Sequence, residues 1–300
     1  MDYILETKNL TKIYGKTKAV DNVSIHVKQG DIYGFIGRNG AGKTTLMRMV
    51  SGLATITDGE VSIFGRANDD FANIKNRIGC LIEAPGVFPN MSAYENLKAK
   101  CICVGIKKKG YIEELLELVG LGNVGNKPVK NFSLGMRQRL GIALALVGEP
   151  DILLLDEPIN GLDPQGIVEI RDLILKLNTE RNITIFISSH ILEELSKIAT
   201  NYGIIHKGQL LKELSHEELM EQCRACIQIN CEEPQKVITV IDEMGYEKYK
   251  VIDENTVEIY EKLESVKDIN KALVLRDVDI NDIHTKRDDL EEYFLKLTGN

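Results

Sequence analysis

The chain has 300 residues, 43% of them hydrophobic and 27% charged, and a formal net charge of −8, which is enough length for two domains with real cores. No apolar run nears the roughly 18 residues of a membrane span, and Met1-Asp2-Tyr3 opens no signal peptide, so a cytosolic protein is expected. The acidic balance excludes a chain built around a large basic face, and no nucleic-acid partner is expected.

In chain order, Tyr3-Ile4-Leu5-Glu6 and Val23-Ser24-Ile25-His26-Val27 alternate like half-buried strands, and residues 32–36 form a fully apolar one. Gly37 to Thr44 follows, reading G-x-x-x-x-G-K-T, and opens a helix. Residues 59–65 read as a strand between glycines, and 78–82 as another apolar strand. From Ser92 to Gly148 the apolar positions Tyr94, Leu97, Ile112, Leu115, Leu116 and Val119 take helical spacing, so a helical subdomain over about 86–148 is expected. Residues 151–156 and 183–188 return to buried strands around a helix at 166–177. Apolar strands alternating with helices predict an α/β fold with a parallel sheet covered on both faces.

Beyond Ser215 the periodicity resets. Strands at 227–230, 248–252, 256–260 and 278–283, with helices at 234–244, 265–272 and 288–297, give the order β-α-β-β-α-β plus a terminal helix. That is the order of a small ferredoxin-like α+β domain. The expected division is 1–212 and 213–300, and the second part is acidic, with 11 Lys/Arg against 22 Asp/Glu. Cys223-Arg224-Ala225-Cys226 and Cys231 lack a fourth ligand nearby, so they read as small buried residues, as do Cys80, Cys101 and Cys103.

The chemistry-bearing residues begin with the glycine-rich loop. Gly37, Arg38, Asn39, Gly40, Ala41, Gly42, Lys43, Thr44 and Thr45 form a P-loop whose backbone amides cradle phosphates at a helix N-terminus. Lys43 adds a full positive charge, and the Thr44 hydroxyl is a ligand for Mg²⁺. The second signal is an apolar strand ending in Asp156-Glu157, which delivers two carboxylates to the edge where the P-loop opens. Asp156 is expected to hold magnesium, and Glu157 to take a proton from attacking water or orient it.

Together these residues resemble the nucleotide-binding subunit of an ABC transporter, over residues 1 to about 212. Asn131-Phe132-Ser133-Leu134-Gly135-Met136-Arg137-Gln138-Arg139 is similar to the family signature. Gly161-Leu162-Asp163-Pro164 resembles its D-loop, and Ser188-Ser189-His190 its switch histidine. Tyr14, upstream of the P-loop, matches the aromatic residue that stacks on adenine. The resemblance implies ATP and Mg²⁺ as cofactors and ATP hydrolysis as the activity, with Lys43, Glu157 and His190 catalytic. It implies that two cassettes, a homodimer or a paired subunit, face head to tail, so that Ser133, Gly135 and Asp163 reach nucleotide held by the partner's P-loop.

Two departures stand out. The signature keeps Ser133 and Gly135 but has Leu134 and Met136 where the family has glycine and glutamine. Glu83 stands where the family has a glutamine that contacts Mg²⁺ and links to the permease, so Glu83 is a candidate metal ligand. Glu83, the following Pro85-Gly86-Val87-Phe88 and the tail Leu290-Glu291-Glu292-Tyr293-Phe294 are similar to bacitracin-resistance and lantibiotic-immunity exporters. The resemblance therefore implies a motor at the cytoplasmic membrane face, driving a separate integral-membrane permease that exports a peptide antibiotic or other drug. Phe88 and Tyr94 are candidates for the groove receiving a permease helix. A soluble ABC ATPase acting on ribosomes or DNA, and an importer motor, are the competing readings. The single P-loop and the short insert without sustained heptads speak against the first.

Overall fold

Strands β1 (Tyr3–Tyr14), β2 (Thr17–Val23), β3 (His26–Lys28), β5 (Asp58–Ile63) and β6 (Arg66–Ala67) build a five-stranded antiparallel sheet. Strands β4 (Ile32–Ile36), β7 (Ile78–Leu81), β8 (Ile152–Asp156), β9 (Thr184–Ser189), β10 (Asn201–His206) and β11 (Gln209–Ser215) form a second sheet in the order β11-β10-β4-β9-β8-β7. This sheet is parallel except for the β10–β11 hairpin. Every residue of β4, β8 and β9 is buried, which explains why these strands read as continuous apolar runs rather than alternating ones. The structure is a computed structural model and describes residues 3–67, 74–223, 225–286 and 290–299.

The helix Lys43–Val50 lies in the core shared by the two sheets. Its Leu46, Met47, Met49 and Val50 cluster with Ile4, Leu5 and Leu10 of β1, Val61 and Ile63 of β5, Tyr33 and Phe35 of β4, and Ile152 and Leu154 of β8. Full burial of each such side chain contributes about 1.5–3 kcal/mol, so the element carrying the P-loop is anchored on both sides. Tyr33 donates from its hydroxyl to Glu213 Oε1 at 2.7 Å, linking β4 to β11, and burial beside that carboxylate raises its phenol well above the ordinary range.

The helices Ala93–Val104, Tyr111–Leu118 and Leu134–Leu146 occupy the stretch where a helical subdomain is expected. Ser92 and Glu95 form a reciprocal capping box at the start of the first of them. A Cβ on Gly141 would stand 2.8 Å from Pro85 Cγ and 2.9 Å from Leu81 Cδ1, so the glycine lets the third helix pack closely on β7 and the loop after it. Ser133 caps Leu134–Leu146, and Asp163, followed by Pro164, caps Pro164–Arg181, starting that helix before the expected position 166.

The chain divides into compact units at 216/217, beyond position 212, because Gln209–Ser215 remains paired as β11. The β10–β11 hairpin has no counterpart in the sequence reading. The second unit contains β12 (Cys226–Cys231), β13 (Tyr249–Asp253), β14 (Thr256–Ile259) and β15 (Ile280–Lys286) in the order β13-β14-β12-β15, with all neighbours antiparallel. In this split βαβ order one strand separates the two ends of each βαβ crossover. Helices Pro234–Glu243 and Val266–Val274 supply Val237, Val240, Ile241, Ile269 and Leu273 to a core against Ile227, Ile229, Val257 and Ile259. The last helix is Leu290–Thr298, and positions 288 and 289 of the expected helix lie outside the described residues.

Candidate nucleotide site

The P-loop is shaped by what a Cβ would strike. A Cβ on Gly42 would stand 2.5 Å from Ala19 O, and one on Gly37 2.6 Å from Ile205 O. Gly42 also caps the helix at φ 110 and Gly40 turns the loop at φ 80, conformations that favour glycine. No side chain caps this helix, so the amides of Lys43, Thr44 and Thr45 point out of its first turn without intrahelical acceptors. Asn39 and Gly40 are exposed at the loop tip, whereas Ala41 is buried and its carbonyl accepts from Gly208 N at 2.9 Å.

The carboxylates arrive from β8. Register places Asp156 opposite Ser188 of β9. Ser188 Oγ donates to Asp156 Oδ1 at 2.5 Å, and Thr44 Oγ1 donates to Asp156 Oδ2 at 2.8 Å. Asp156 is thus held in the interior at 2% exposure by two hydroxyls, one of them from the P-loop helix. Glu157 turns away at φ 49, and its amide donates to Ser188 O at 3.2 Å and Ser188 Oγ at 3.0 Å. Ser188 therefore orients both acids. The sequence marks it only as a hydroxyl at the end of a buried strand, and its role depends on strand register.

Glu157 sits between two cations or cation precursors. Its Oε2 is 2.8 Å from His190 Nδ1, and its Oε1 is 3.1 Å from Lys43 Nζ. The second contact has ion-pair distance but not hydrogen-bond geometry, so Oε1 is buried without a hydrogen-bond donor. Lys43, 5% exposed, donates to Gly37 O at 2.5 Å and Arg38 O at 3.3 Å. Lys43, Thr44, Asp156, Glu157 and His190 thus form one connected polar network, with Ser188 at its centre. Thr44 and Asp156 present adjacent hard oxygen donors, a set that fits Mg²⁺ completed by phosphate and water oxygens.

Glu83, the remaining candidate metal ligand, has a partner of its own. It forms an exposed ion pair with Arg48 on the P-loop helix, at a backbone φ of 64. Arg48 went unnoticed in the sequence because the partnership is tertiary. Tyr14, at the end of β1, is 48% exposed, with Lys12 Nζ 4.9 Å from its ring centroid. That leaves an aromatic face at the surface.

Ser133 and Gly135 lie elsewhere. Ser133 Oγ accepts from Met136 N at 3.2 Å. A Cβ on Gly135 would meet only Leu162 Cδ2, at 3.8 Å, and Gly161 packs near Leu134. Asp163 Oδ1 accepts from Gly166 N at 3.1 Å as a helix cap. Among the described residues no hydrogen bond joins Ser133 or Gly135 to the P-loop of the same chain. A groove of about 900 Å³ is lined by β7, Ala84, Pro85, Gly86, Phe88 and the helices Ala93–Val104 and Leu134–Leu146. Phe88, 60% exposed, lines it, and Tyr94 does not. Among the described residues no helix is long and apolar enough to cross a membrane.

Residues 20–160 match the family model described as ABC transporter. The bacitracin transport ATP-binding protein BcrA of Bacillus licheniformis is 46% identical, over 100% of this chain and 98% of the relative. The lantibiotic transport ATP-binding protein SrtF of Streptococcus pyogenes is 43% identical over 71% of this chain and 92% of its own length. A dimeric structure of the ATP-binding cassette MJ0796 in a post-hydrolysis state, bound to ADP and Pi, superposes with a TM-score of 0.65 at 27% identity, covering 71% of this chain and 98% of that one. The P-loop, the paired acids and a relative aligned over the whole chain together place the chain in the ABC transporter ATP-binding family.

Proposed function

We propose that the chain is the ATP-hydrolysing motor of an exporter whose membrane-spanning permease is a separate protein, and that the cargo is a peptide antibiotic of the bacitracin or lantibiotic kind. The observation that carries the motor reading is the connected network of Lys43, Thr44, Asp156, Glu157 and His190 around the mouth of the P-loop. The cargo reading is supported by the names of the relatives that align over the whole chain or most of it.

In this reading the amides of residues 39–45 and the Lys43 ammonium take the phosphates of ATP, and Tyr14 stacks on the adenine. Lys43 exchanges its contact with Glu157 for phosphate oxygens. Thr44 and Asp156 would hold Mg²⁺, which supplies charge neutralisation at the phosphates. Glu157, held by Ser188 at its amide and by His190 at Oε2, takes the proton of the attacking water, and His190 hydrogen-bonds the γ-phosphate. Ser133 and Gly135, with Asp163 nearby, complete the site of a second cassette, whether an identical chain or a paired subunit. ATP then joins the two, and hydrolysis separates them. The groove bearing Phe88 receives a permease segment at the cytoplasmic membrane face, next to the Arg48–Glu83 pair.

Glu157→Gln tests the motor reading. ATP binding should persist while turnover falls by about 10²–10⁴, the usual worth of a general base. Undiminished turnover removes Glu157 from that role. The cargo reading is tested in the native host by removing the chain and resupplying either wild type or Glu157→Gln. Wild type alone should restore growth against bacitracin or a lantibiotic, and unchanged sensitivity after removal overturns the antibiotic assignment.

A further inference from the structure

Between Asn96 and Ile112 the chain carries five lysines, Lys98, Lys100, Lys107, Lys108 and Lys109, and no Asp or Glu, in a protein of net charge −8. The segment is the end of the Ala93–Val104 helix and the turn after it. Leu97 and Cys101 face the interior and all five lysines are exposed. Between the lysines Ile102 is 70% exposed and Val104 42% exposed. Among the described residues only Lys108 of the five joins ion pairs, at 3.4 Å to Glu114 and 3.8 Å to Glu149. Lys98 has Glu95 beside it, but that carboxylate already accepts from Ser92 N and Oγ.

Lysines near a helix C-terminus complement its dipole, but that effect fades within the last turn. It leaves Lys107 and Lys109 unexplained, and it gives no reason to expose Ile102, which lies outside the groove that Val104 lines. We propose that residues 98–109 form a contact for an anionic lipid surface beside the groove, with Lys98, Lys107 and Lys109 over the headgroups and Ile102, which does not line the groove, at the acyl boundary. Lysine favours this occupant over an acidic protein segment: flexible ammonium point charges suit a diffuse anionic plane, whereas arginine forks suit fixed carboxylates. The surface would hold the chain at the bilayer independently of nucleotide. It gives the motor reading a second membrane attachment besides the permease, and it rests on that reading only for its purpose.

The test is sedimentation of the full chain with phosphatidylcholine vesicles and with phosphatidylcholine–phosphatidylglycerol vesicles, at low and high salt and without permease or ATP. Wild type should prefer the anionic vesicles and lose that preference in high salt. Each lysine near an anionic surface is worth about fivefold, so Lys98→Gln/Lys107→Gln/Lys109→Gln should bind on the order of 10²-fold more weakly. These three side chains lie outside the nucleotide site, and ATP turnover of the variant should match wild type. Ile102→Ser should weaken binding several-fold with the charge unchanged. Equal binding to both vesicle types, or a triple variant that binds like wild type, overturns the proposal. So does a triple variant that keeps its lipid binding but loses a co-purifying permease, because the patch is then a protein contact. None of these results touches ATP hydrolysis by Glu157, so the motor reading can stand when the lipid contact fails.

Discussion

The two ends of the cassette that carry its motifs are built in opposite ways. At the P-loop, added atoms collide: a Cβ on Gly42 or Gly37 would strike backbone oxygens, Asp156 is held by two hydroxyls, and Lys43 is buried with three oxygen neighbours. At the signature, Gly135 has room for a Cβ, Leu134 is 38% exposed, and among the described residues Ser133 hydrogen-bonds only within its own helix. The first end has its shape fixed within one chain, with the helix amides left uncapped. The second is a helix N-terminus capped by its own Ser133 and exposed at the surface, the placement expected of a site completed by another molecule.

The sharpest way to separate the two ends is a methyl group at each. Gly42→Ala must hold φ 110 and push Ala19 O aside, and strain of about 1–3 kcal/mol should weaken ATP binding roughly 5- to 150-fold, read by titration calorimetry. Gly135→Ala should leave nucleotide affinity and melting temperature near wild type while lowering turnover. If Gly135→Ala weakens binding as much as Gly42→Ala, the contrast fails.

Ser133→Ala comes next. Loss of the cap should cost about 1 kcal/mol of stability in chemical denaturation, with single-chain ATP affinity unchanged. The smallest effect is expected at Glu83. Its ion pair with Arg48 is exposed at both partners, so Glu83→Gln should change stability by less than about 1 kcal/mol and leave ATP affinity unaltered. Its consequence should be in permease-stimulated turnover, and Arg48→Gln should reproduce it. Glu83→Gln in an Arg48→Gln background should then add nothing further. Additive losses would show that the two side chains act separately.

What was legible in the sequence follows from how local each signal is. The P-loop, Asp156-Glu157 and His190 are short runs attached to buried strands, and their chemistry is written in adjacent residues. Ser188 and Arg48 were not legible, because one depends on the β8–β9 register and the other on the approach of the loop after β7 to the P-loop helix. The β10–β11 hairpin was missed although its turn, Lys207-Gly208, carries positive φ at both residues. Gly203 inside β10, where a Cβ would stand 2.5 Å from Tyr33 Oη, hides a strand whose neighbour fills the space. The resemblance makes Glu83 a candidate metal ligand, and only the fold shows its ion pair with Arg48. The order of elements in the second unit was readable because Ile227-Gln228-Ile229-Asn230 and Thr256-Val257-Glu258-Ile259 alternate and the segments between the strands take helical spacing.

The central claim is that the exposed signature end closes the P-loop end of a second cassette. Sedimentation of Glu157→Gln with ATP and Mg²⁺, beside Glu157→Gln/Ser133→Arg, tests it most directly. The single variant should double in mass, and the double variant should bind ATP with the same affinity yet remain monomeric, because the arginine blocks the helix end. A double variant that still doubles in mass would contradict the account.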